Sequence, residues 1–111
     1  MARHDNFHSL ADARSWALHG EVAAQLPLKP ELLARAKDRV VSWMNDSKRH
    51  PYAADWHNLL LLPPAQLQEA LLDKGDRMIT LRQASPFAGA LDAATRWKIL
   101  KRPELRARET S

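Results

Sequence analysis

The sequence predicts an all-α fold, a compact bundle of five or six short helices, and three observations predict it. No segment alternates apolar and polar residues with the strand period of two. β-branched residues are scarce, and apolar positions instead recur three and four apart, the spacing of one helix face. Prolines then divide the chain into short helical units.

Ser9-Leu10-Ala11-Asp12 reads as a capping box that starts the first helix, with an acidic residue at the third helical position. Ala11, Ser15, Leu18, Val22 and Leu26 form its expected inner stripe, and Pro27 ends it. Pro30 opens the second helix, with Glu31 next to it at the positive end of the helix dipole. Leu33, Ala36, Val40, Trp43 and Met44 make its apolar face, and Asn45, Asp46 and Ser47 close it. Pro51 opens a third, shorter unit through Tyr52, Trp56, Leu59 and Leu60, which Pro63-Pro64 interrupts. Leu67, Ala70 and Leu71 form a fourth, and Gly75 suits a left-handed cap after it. Asp76 caps a fifth helix with Met78, Ile79 and Leu81 facing inward. That helix ends near Ala84, because Pro86 pushes Ser85 out of helical geometry. Gly89 permits a positive φ in the return, and Asp92 caps a sixth helix through Trp97, Ile99 and Leu100 to Pro103.

At 111 residues the chain is one domain, which buries roughly two-thirds of its unfolded surface and leaves little room for a deep catalytic cleft. Residues 1–8 read as a flexible lead, 9–101 as the helical domain and 102–111 as a polar, frayed tail. The chain has no Cys, which excludes disulfides and thiolate zinc sites and fits a reducing compartment. Met1 to Phe7 lacks the apolar core of a signal peptide. The longest apolar run, Leu59 to Pro64, falls far short of the ~20 residues that span a bilayer. The expected setting is therefore cytoplasmic, with no membrane partner.

Charge is distributed unevenly. Met1 to Asp76 holds nine Lys and Arg against ten Asp and Glu, whereas Arg77 to Ser111 holds eight against three. A basic C-terminal third points to nucleic acid or an acidic protein surface as partner, or to a solvated tail.

Candidate chemistry is sparse. His50, Asp55 and His57 lie close in sequence, but Asp55 and His57, two apart on a helix, face different directions. His4 and His8 have an i, i+4 spacing with no acidic third ligand. His19 reads as a polar edge residue. There is no nucleophile elbow, phosphate-cradling glycine loop or zincin motif, and the three glycines are too few for such loops. The reading is a non-enzyme without cofactor or metal. Leu67 to Gln83 offers two short helices around a Gly-containing turn, with Arg77 and Arg82 in the second, as a helix-turn-helix reader of DNA would. Met78, Ile79 and Leu81 leave that second helix few polar positions for bases.

Leu81 to Leu100, LRQASPFAGALDAATRWKIL, is the most distinctive stretch. Phe87, between a proline and two small residues, either plugs the domain's own core or enters another protein. Arg82, Gln83, Arg96 and Lys98 surround it with donors and Trp97 follows, the composition of an interface hot spot. The candidate partner-binding residues are Arg82, Gln83, Ser85, Pro86, Phe87, Arg96, Trp97 and Lys98, within a docking segment spanning 82–101. Leu81-Arg82-Gln83-x-Ser85-Pro86-Phe87-Ala88-Gly89-x-Leu91, followed by Arg96-Trp97-x-Ile99-Leu100, resembles the C-terminal signature of a group of small bacterial helical proteins. Arg14 to Leu26 resembles the start of the same group, in which an acidic or polar cap usually precedes the proline of the second helix. Lys29 stands there instead. That group is similar to the antitoxin halves of toxin–antitoxin pairs. The resemblance implies a protein that binds and silences a toxin enzyme through its C-terminal third. The alternative is a DNA-binding transcriptional regulator using the same basic region.

Overall fold

The computed structural model describes residues 9–46 and 50–105, which form six helices and a closing 3-10 turn. The helices are α1 (Leu10–Gln25), α2 (Pro30–Asn45), α3 (Ala53–Leu60), α4 (Pro64–Leu72), α5 (Asp76–Arg82) and α6 (Ala93–Leu100). The 3-10 turn covers Pro103–Leu105. No strand occurs among the described residues, so the all-α expectation holds. None of these helices is long and apolar enough to cross a membrane.

Ser9 starts α1 as its spacing predicts, its hydroxyl accepting from the Asp12 N–H at 3.2 Å. Of the expected stripe only Val22 is fully buried. Asp12, Ala17, His19, Val22 and Ala23 turn inward, while Ala11 is exposed and Ser15, Leu18 and Leu26 are half-buried. The reason is that α1 is the hub, packed against α4, α5, α6 and the 3-10 turn. Neighbours on several sides bury a wider arc than one apolar stripe provides. Gln68 of α4 reinforces the contact, its Nε2 donating to the Ala23 carbonyl at 2.7 Å.

α2 begins at Pro30 without a side-chain cap, since Lys29 has no acceptor to offer the helix N–H groups. Leu32, Ala36 and Val40, four apart, bury against α3, and Met44 at the far end of the expected face is half exposed. α3 starts at Ala53 rather than at Pro51, because the Ala53 N–H closes a turn onto the His50 carbonyl. It contributes Trp56, fully buried, and Leu60.

Gly75 does not take the left-handed conformation expected of it. Its φ of −71° and ψ of 161° are extended, and it is the residue before α5, with Asp76 inside the helix. α4 instead ends at Asp73, whose carboxylate accepts from the Gly75 N–H at 2.6 Å. A Cβ there would lie 3.0 Å from that Asp73 oxygen, a tight contact that the carboxylate would have to relieve by shifting. Gly89 does return with a positive φ, 79°, the only one among the described residues. Asp92 caps α6 through the Thr95 N–H at 2.7 Å. The hydrogen bonds from Thr95, backbone first, hold the Asp92 carboxyl below the usual carboxylate range.

The main core draws on α1 to α5 and the loop, with Val22, Val40, Trp56, Leu67, Leu71, Leu81 and Phe87 at its centre. A smaller cluster joins Ala17, Ile99 and Leu105. Leu105 corrects the expected tail. Residues 102–105 fold back, Leu105 is buried, and its carbonyl accepts from Arg14 Nε at 2.8 Å. A single apolar side chain with a vacant seam to fill is enough to order the turn. The lead 1–8, with His4 and His8, and the rest of the tail, 106–111, lie outside the described residues.

Candidate functional site

The loop Ser85–Gly89 connects α5 to α6, and its conformation follows from its residues. Pro86 stops α5, the Ser85 hydroxyl accepts from the Phe87 N–H at 3.0 Å, and Gly89 makes the return. From α2, Arg39 Nη1 clamps the outside of the loop by donating to the Ala88 carbonyl at 2.8 Å and the Pro86 carbonyl at 3.4 Å.

Phe87 points inward. It is 4% exposed and meets Trp56 edge-on at 6.1 Å between ring centroids and His19 edge-on at 6.4 Å, while His19 stacks on Trp56 at 6.5 Å. Of the two places open to it, it takes the core plug, and it is no exposed anchor. The Trp56 indole satisfies its own N–H on the Leu81 carbonyl at 3.0 Å.

His19 is the residue that sequence reading missed, for it is buried rather than at an edge. Its Nδ1 lies 2.8 Å from the Ser15 carbonyl, which only accepts, so Nδ1 carries the proton. Nε2, 2.7 Å from Ser85 Oγ, then accepts from the Ser85 hydroxyl. Burial pushes the imidazole down from 6.5 to about 4, against the opposing pull of the Ser15 hydrogen bond. A neutral ring thus links α1 to the loop through one hydroxyl. The signal lay in the spacing of Asp12, His19 and Ala23, which follows the same periods as the stripe read instead.

Arg82 is interior as well, at 3% exposure. Its Nη1 donates to the Asp73 carbonyl at 2.7 Å and the Leu71 carbonyl at 3.1 Å, the unsatisfied end of α4. Burial pulls its pKa down, and Asp73 and Asp12 partly offset this. Gln83 Nε2 reaches Asp12 Oδ1 at 2.8 Å. Of the eight residues singled out, Arg82, Ser85, Pro86 and Phe87 are therefore buried, and Gln83 is exposed yet tied to α1. None of the four buried side chains offers a partner an exposed contact.

The other three form a surface. Trp97 is 64% exposed, and Arg96 and Lys98 beside it, with Lys101 and Arg102 after them, are exposed too. On the opposite side Ile99 is buried against Ala17 and Leu105, which fixes the rotation of α6. Trp97 stands outward because Ile99 is held inward.

The helix-turn-helix arrangement loses its reader. α5 has seven residues, Arg82 is buried, and Arg77 pairs with Asp55 of α3. That pair also takes Asp55 away from the histidines. His50 stacks on Trp43 at 5.4 Å and meets Asp46 at 3.3 Å. No group of three His, Asp or Glu that could hold a metal occurs among the described residues. Comparison with family models, curated proteins and solved structures finds no match to this chain.

Proposed function

We propose that the protein is a binding module that docks on an acidic face of a partner enzyme and neutralises it, in the manner of an antitoxin. The observation that carries this reading is Trp97, a large apolar side chain left in solvent on a helix whose neighbouring side chains are basic. Exposed Trp ringed by Arg and Lys is the composition of binding hot spots. The contact surface is the outer face of α6 and the turn after it: Trp97 as anchor, with Arg96, Lys98, Lys101 and Arg102 for charge complementarity. Phe87, Ser85, Pro86 and Arg82 serve it from beneath, by setting the loop from which α6 starts. The antitoxin reading itself rests on the resemblance of Leu81 to Leu100 and Arg14 to Leu26 to that group.

The test is affinity capture from the host on tagged protein at moderate salt with nuclease present, followed by assay of the captured enzyme. The expected result is one stoichiometric protein, inhibited in the complex, whose affinity falls by ~2 kcal/mol or more with Trp97→Ala. Undiminished capture by a folded Trp97→Ala protein sinks the proposal. Recovery of nucleic acid alone when nuclease is omitted, with steep salt dependence, moves the function to DNA binding.

A further inference from the structure

Between α1, the Ser85–Gly89 loop and α6 runs a groove of about 580 Å3, within the size range of small-molecule sites. Its lining divides by chemistry. Leu18, Leu91 and Leu100 supply an apolar wall, and Arg14, Arg82 and Arg96 border it. No Asp or Glu lines it among the described residues, and Trp97 does not take part in it. Three guanidinium groups around one concave surface, with apolar walls to focus their field, favour an anion inside.

The donors of these arginines are not used up. Arg82, 3% exposed, binds backbone carbonyls through Nη1, and its Nε and Nη2 have no hydrogen-bond partner among the described residues. Buried donors left unmade are costly, and native folds rarely keep them without a ligand or a water to serve them. Among the described residues Arg14 engages its Nε alone, on the Leu105 carbonyl, which leaves both Nη groups to serve a ligand. Arg96 is exposed and makes no ion pair with a described carboxylate. Asp12, the acid whose charge reaches Arg82, is engaged by Gln83 and stands outside the lining.

We propose that this groove is a binding site for a small amphipathic anion: an apolar or aromatic body bearing a carboxylate or a phosphate. The head group sits between Arg14 and Arg96, whose planar forks match either oxyanion with paired hydrogen bonds. Arg82 adds its charge from below. The body lies along Leu18, Leu91 and Leu100. The site shares Arg96 with the docking face of α6 but none of Trp97, Lys98, Lys101 or Arg102, and binding of a small anion needs no protein partner, so it stands or falls independently of the partner proposed for Trp97.

The experiment is an NMR titration of the full-length, 15N-labelled protein with 2-naphthoate, 2-naphthyl phosphate and the neutral 2-naphthol. The amides of Ala88, Gly89 and Leu100 report the groove. At least one anion is expected to shift them saturably and about tenfold or more tighter than naphthol; the tighter of the two identifies the head group. Arg96→Gln, at an exposed position, should weaken the anion about tenfold while leaving naphthol unchanged, and Arg14→Gln should do the same. Equal binding of naphthol, unchanged anion affinity in both variants, or no saturable shift with either anion overturns the proposal.

Discussion

At neutral pH the imidazole of His19 is an uncharged ring wedged between Trp56 and Phe87, with both nitrogens hydrogen-bonded. Protonation puts a charge into that apolar setting and removes the acceptor that Ser85 uses. Because the folded-state value is lowered from 6.5 to about 4, the unfolded chain binds more protons between those limits. Stability from this residue is complete above pH 6.5 and is lost as pH falls toward 4, by about 3 kcal/mol in all. Urea midpoints measured at pH 7 and pH 4.5 should differ accordingly, and His19→Gln should remove that part of the difference. Two aromatic residues ten positions apart make the complementary comparison. Phe87→Ala opens a cavity in the core and should cost about 3–5 kcal/mol. Trp97→Ala, at 64% exposure, should change stability by less than about 0.5 kcal/mol in the same measurement. Sequence composition alone gave both residues the same role, because an aromatic ringed by arginines reads alike whichever way its side chain turns.

At the scale of elements, the starts and stops were legible wherever one residue decides them by local chemistry. Ser9, Pro30, Asp92 and Gly89 each act through their own side chain or their own φ, and each stands where its type predicts. Gly75 was misread because Asp73, two residues earlier, supplied the turn and left the glycine extended. The inward face of α1 was misread for a different reason: two stripes fit the helical period, and only the neighbours choose between them. Gly89 permits a clean test, since a Cβ there would meet nothing within 4 Å and only the backbone conformation resists it. Gly89→Ala should therefore cost about 1–2 kcal/mol in thermal or urea unfolding, with no cavity or clash to confuse the reading. A neutral outcome would mean that the loop relaxes to negative φ, and the amides of α6 would then shift with it.

For the whole molecule, charge asymmetry marked the C-terminal third, where α6 and the turn behind it expose Arg96, Lys98, Lys101 and Arg102. It could not separate Arg96 and Lys98, which face solvent, from Arg82, which is buried at the end of α4. That distinction depends on contacts far apart in sequence. The C-terminal turn depends on such contacts most of all: Arg14 and Leu105 are 91 positions apart, yet joined. Leu105→Ala should cost about 2 kcal/mol or more and speed amide exchange in both α1 and α6, because Ala17 and Ile99 lose the same partner.

That clasp also sets an order of events during synthesis. α1 leaves the ribosome first, but the seam it shares with Ile99 and Leu105 is filled only after residue 105 has cleared the exit tunnel. At ~5–20 residues per second the first helix waits several seconds with apolar surface uncovered. For that interval α1 keeps this seam open to non-native contacts.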